Sequence, residues 1–114
     1  MRTYRREQQA WICGHWNGSP LDIGVNDLMY ATPPGEVTHY HHCHEYYVGL
    51  EGRARLRIEG REVTLEVNVV VMVQPRERHR IVWVDPDAGA RWVIIEERSE
   101  PDSKILAPDD DEAV

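Results

Sequence analysis

The chain has 114 residues, 41% of them hydrophobic and 29% charged, and a formal charge of -7 at neutral pH. That length suits one domain with a modest core, for which self-association would be a useful supplement. The acidic balance argues against nucleic acid, which rewards dense positive surface. No stretch reaches the roughly 18 apolar residues of a membrane helix.

Residues 1–8 read as a basic N-terminal arm; without an apolar run they do not resemble a secretory leader, so cytoplasmic residence is the expectation. Cys13 and Cys43 are then expected as thiols, since a lone disulfide does not suit the cytosol. "AWICGHW" and "NDLMYA" read as short strands separated by "NGSPLDIG", and "TPPG" (residues 32–35) as a loop. In "RARLRIEGREVTLEV", Arg53, Arg55 and Arg57 alternate with Ala54, Leu56 and Ile58, Glu59-Gly60 supplies a tight turn, and Val63 and Leu65 resume the apolar face. That is a β-hairpin with one solvated face. "VVVMV" (69–73) is continuously apolar and β-branched, which predicts a strand buried on both faces. "HRIVWV" (79–84), the turn "DPDAG" and "RWVIIEE" (91–97) complete the series. No segment has sustained helical periodicity, so residues 9–98 are expected to form an all-β sandwich or barrel with little helix. The end, residues 99–114, reads as an acidic, disordered tail.

One stretch breaks the ordinary pattern. Residues 39–45, "HYHHCHE", hold four of the chain's six histidines, a cysteine and a glutamate. Residues two apart on a strand share a face, so His39 and His41 project together. Glu45 follows three residues that could turn the chain, and His79 opens an apolar strand just after "QPRER". Imidazole and carboxylate donors with open positions suit iron, manganese, nickel, copper or zinc.

At these residues the sequence resembles the cupin superfamily. The first cupin motif, G-x5-H-x-H-x3,4-E-x6-G, is matched by His39, His41, Glu45 and Gly52, with Gly35 two residues too close to serve as its first glycine. The second, P-x-G-x2-H-x3-N, is matched one residue short by Pro75 and His79, with Glu77 in place of the glycine and Trp83 in place of the asparagine. Asn68 stands where many cupins have glycine, and asparagine tolerates the left-handed conformation. The resemblance implies a small antiparallel jelly-roll barrel with His39, His41, Glu45 and His79 around one divalent ion, iron or manganese before nickel, copper or zinc. It also places His42 and His44 in a turn, exposed to solvent.

Tyr47 and Gly49 share strand parity with Glu45, so both are expected to face a cavity, where Gly49 would either leave extra room or mark a bulge. Glu45, Tyr47 and Glu77 are the candidate catalytic residues, the last two as groups that could move a proton. Trp83 and Trp92 read as core or interface residues. The expected function is a metal-dependent enzyme acting on a small, oxygen-rich, chelating substrate: a dioxygenase ahead of an isomerase or lyase. The alternative is a non-catalytic module that binds or senses a small molecule. A homodimer is expected, with neither nucleic acid nor membrane as partner.

Overall fold

A computed structural model describes residues 1–7, 10–28, 37–97 and 105–107. The loop of residues 32–35, most of the acidic tail and the end of "NDLMYA" lie outside the described residues. Among the described residues nine strands follow in chain order: β1 (Trp11–Cys13), β2 (Asp22–Leu28), β3 (His39–Tyr40), β4 (Glu45–Ile58), β5 (Arg61–Glu66), β6 (Val70–Val73), β7 (His79–Val84), β8 (Ala90–Glu96) and β9 (Ile105–Leu106). The one helical element among the described residues is a single turn at His15–Asn17. All pairings are antiparallel, in the order β1-β2-β8-β4-β7-β3-β9, with β5 and β6 also on β4. The architecture is thus all-β, a sheet curled into a half-barrel.

The curl comes from β4, whose first half pairs with β6 and β8 and whose second half pairs with β5 and β7. The change of wall falls at residues 49–52, where the β4–β8 register slips by a bulge. Two glycines make the bend sterically feasible. A Cβ on Gly49 would run into the carbonyl of Glu66, and one on Gly52 into that of Gly89, where φ is also +65°. Of the two readings of Gly49, the bulge is the one the register agrees with: the glycine accommodates a backbone crossing beside the slip and is absent from the cavity lining.

The hairpin forms as its alternation requires: Ala54, Leu56 and Leu65 are buried, and Glu59 (φ +47°) and Gly60 (φ +81°) form the two-residue turn. With Val84, Ala90 and Trp92 they make the dry core between the walls. Asn68 has φ +68°, the left-handed geometry its position demands. Trp83 lies outside the core, its indole under the guanidinium of Arg55 at 4.5 Å.

Two expectations about strands need correction. Only Val71 and Val73 of β6 face inward; Val70 is 58% and Met72 43% exposed, because β6 pairs along one side only and nothing described covers its outer face. A β-branched run reports strand propensity, which does not specify burial on both faces. "NGSPLDIG" is not wholly a connector either: Asp22 to Gly24 already pair with Ile94 to Glu96. At the other end, Ile105–Leu106, inside the stretch read as a tail, pair with β3.

Candidate metal centre

The pleat and the register assemble one polar cluster at the end of the half-barrel opposite the dry core. Across one wall His39 pairs directly with His79, and across the other Glu45 pairs directly with Glu96. Directly opposed residues on one face bring side chains into contact. His41 follows β3 immediately, and its carbonyl accepts the amide of Arg76 at 2.7 Å, which ties the two histidine-bearing segments together. The rings of His39, His41 and His79 stand 4.3 to 5.4 Å apart between centroids, and all three residues are buried.

Two backbone carbonyls set the tautomers. His39 Nδ1 donates to the Val37 carbonyl and His79 Nδ1 to that of Glu77, each at 2.8 Å. Both rings therefore offer Nε2 toward the cluster, the arrangement of metal-ligating histidines whose second nitrogen is held by the protein. His79 Nε2 then faces Glu45 Oε1 at 3.0 Å. In a neutral ring that nitrogen carries a lone pair, so two acceptors oppose each other unless a proton or a cation lies between them.

Glu45 is buried, with His41 Nε2 3.5 Å from its Oε2. Burial pushes its carboxyl up, but hydrogen bonds with His79 and Glu96, and the positive charge of His41 and His79, hold it down at about 2. The donor atoms of His39, His41 and His79 lie within 4.8 Å of one another, as do those of His41, Glu45 and Glu96. These groups could hold a metal ion, and their donor set, imidazole nitrogen plus carboxylate oxygen, fits a divalent transition metal.

A cavity of about 320 Å³ adjoins the cluster, lined by His39, His41, Glu45, Tyr47, Trp11 and Asn26 among others. Tyr47 is buried, its ring 6.3 Å from that of His79. Glu77 is placed differently: its carboxylate accepts the amide of Gln74 at 2.7 Å and is absent from the cavity lining. His42 is exposed, and His44 pairs at the surface with Glu97. No disulfide joins Cys13 and Cys43.

Glu96 and Asn26 were not legible as site residues. Glu96 shares parity with the inward Trp92 and Ile94, a signal present in the sequence, but only the β4–β8 register reveals that it meets Glu45. Asn26 lies on β2 opposite Trp92 and faces inward likewise.

A family model for the Cupin domain matches residues 28–96. Among solved structures, a cupin protein from Bacteroides fragilis is 19% identical, with 89% of each chain covered and a TM-score of 0.67. A Cupin 2 conserved barrel domain protein from Salinispora arenicola is 25% identical over 68% of this chain and 63% of that one, with a TM-score of 0.57. FeII HppE in complex with substrate is 18% identical over 68% of this chain and 45% of that one, also at 0.57. No curated protein matches the chain in sequence.

Proposed function

This chain belongs to the cupin family, and from that premise we propose that it is a metal-dependent enzyme acting on a small, oxygen-rich substrate that chelates the ion. The observation that carries the reading is the opposition of His79 Nε2 and Glu45 Oε1 at 3.0 Å, with the far nitrogen of His79 held by a backbone carbonyl. His39, His41, His79 and Glu45 would hold the ion. When bound, it would supply Lewis acidity or, if redox-active, dioxygen chemistry.

The chain's own groups shape how a substrate binds and where its protons go. With those four side chains holding it, the ion would remain accessible from the cavity to a substrate with two adjacent oxygens. Tyr47 lines the cavity and is the better placed proton carrier, because the carboxylate of Glu77 is occupied at the Gln74 amide. Polar groups beyond the four ligands, Asn26 among them, support catalysis over simple ligand retention. Iron and manganese are the first metals to test, and HppE, of the same fold, was solved as an FeII form with substrate.

Elemental analysis after gentle purification is expected to give about one divalent ion per chain. Reconstituted protein is then screened against dicarbonyls, catechols, keto acids and keto sugars, with and without oxygen. A dioxygenase consumes oxygen with iron or manganese and stops with zinc, which has no accessible redox step. Turnover by the zinc form under nitrogen would replace that reaction class with isomerase or lyase chemistry. Saturable binding without turnover would favour a sensing module.

The same reading includes a second copy of the chain, in the cytoplasm. β1 ends the sheet, and the outer face carries two apolar rows across β6, β4, β8 and β2: Met72, Tyr46, Ile95, Ile23 and Val70, Val48, Val93, Val25. Covering such a face by self-association removes apolar surface from water. Light scattering should report twice the 13.3 kDa of one chain; the monomer mass at micromolar concentration would refute it.

A further inference from the structure

We propose that Glu96 is a fifth protein ligand of the ion, so that the centre is built from three imidazoles and two carboxylates. The inference rests on the metal-dependent reading of the site and extends it to a residue outside both cupin motifs. Glu96 opposes Glu45 across β8 and β4, and the two carboxylates therefore stand side by side on the inward face. His41 Nε2 lies 3.5 Å from Glu45 Oε2 and 3.9 Å from Glu96 Oε1. Two donors each about 2.1 Å from one ion are separated by roughly 3.0 Å when adjacent and roughly 4.2 Å when opposite. The donor atoms of His41, Glu45 and Glu96 all lie within 4.8 Å of one another, a triad that shares His41 with that of His39, His41 and His79; one ion bound to all five would draw the two triads together.

Charge points the same way. Glu96 is 3% exposed at the end of a strand whose other inward residues are Ala90, Trp92 and Ile94. Its carboxyl is hydrogen-bonded to that of Glu45, which needs a proton between the two; an ion held by both would take that proton's place. A dication facing one carboxylate leaves a net positive centre, whereas a second makes it neutral. Asp22 is the other acid in this row, directly opposite Glu96 on β2. Its Oδ1 accepts the backbone amide of His15 at 3.1 Å, so it secures the N-terminal turn instead.

Two carboxylates with three imidazoles favour hard, six-coordinate ions, manganese(II) and iron(II), over ions content with four donors. Five protein donors would leave a six-coordinate ion one position for water or substrate. A substrate then attaches through a single oxygen, or through two after displacing a carboxylate.

The test counts the water molecules on manganese(II) by the relaxation of bulk water protons, in wild type, Glu96→Ala and Glu96→Gln, each loaded to one ion per chain. Replacing a protein oxygen by water is expected to raise the inner-sphere contribution about twofold in Glu96→Ala, from one position to two of an octahedron. Glu96→Gln preserves side-chain volume if the alanine variant folds poorly, and its neutral amide should also yield to water. Manganese affinity should fall about tenfold or more in either variant, a range that a group merely orienting Glu45 could also reach; the water count separates the two roles. Equal relaxation in wild type and both variants overturns the assignment of Glu96 and leaves the other four ligands standing. A wild-type chain that takes up neither manganese, iron nor zinc overturns the metal reading itself, and this assignment with it.

Discussion

The two halves of β4 lie in one strand and obey one pleat, yet they bury opposite kinds of chemistry. Around its first residues the inward positions are Glu45 and Tyr47, facing Glu96 and three buried histidines. Around its second half they are Ala54 and Leu56, facing Leu65, Ile81 and Val84. The apolar half stabilises the fold by removing side chains from water. The polar half collects groups whose desolvation is repaid only by hydrogen bonds, protons or an ion. Between them, residues 49–52 turn the strand from one wall to the other. The two meet at Tyr47, which belongs to the same core cluster as Leu56, and at Ile81, which also lines the cavity; away from those two residues, perturbing one half should leave the other largely intact.

The largest effect is expected in the polar half. His79→Ala removes a buried imidazole at the centre of the cluster and, on the proposed metal reading, should abolish stoichiometric metal uptake, read by elemental analysis after loading. Because imidazole has to be neutral to ligate, wild-type uptake should also weaken below about pH 6. Affinity that stays flat from pH 7 to pH 5 would rule out histidine ligation. In the apolar half, Leu56→Ala should cost about 2–5 kcal/mol in urea unfolding, from lost burial and the cavity left behind. The folded Leu56→Ala protein should still bind its ion. If it lost the metal, the two halves would be coupled and the separation drawn along β4 would be wrong.

Sequence patterning revealed much of this division, unevenly. Alternation in Arg53 to Ile58 identified the core face because one side chain in two is apolar, and the pleat cannot disguise it. His39, His41, Glu45 and His79 stood out because a dense run of donors at strand spacing has few other uses. What stayed hidden depends on register. Glu96 looks like one acid of a terminal pair until β8 is aligned on β4. Gly49 looks like spare volume until the backbone of Glu66 is seen crossing it. Pairing across a sheet is a long-range property, and a single strand carries only its own parity.

The smallest expected effect lies on the link from the apolar half to the metal centre. Glu59 occupies a left-handed turn position that glycine or asparagine would fill more easily. It is held there by Arg78, whose amide, Nε and Nη2 donate to its carboxylate at 2.6, 3.0 and 3.1 Å. Arg78 directly precedes His79, so the clamp fixes the entry to β7. The hydrogen bond from the Arg78 side chain outweighs burial and holds the Glu59 carboxyl below its ordinary value. A carboxyl depressed in the folded state stabilises above the unfolded value, and the contribution disappears as pH falls through the folded one. The pair is largely open to solvent, so Glu59→Gln should cost only about 0.2–1 kcal/mol at pH 7, and less in high salt. Urea unfolding of the two proteins should converge as the medium is acidified below the ordinary carboxylate range, with metal content unchanged at pH 7. A gap that persists undiminished in acid would show that Glu59 acts through turn geometry and not through its charge.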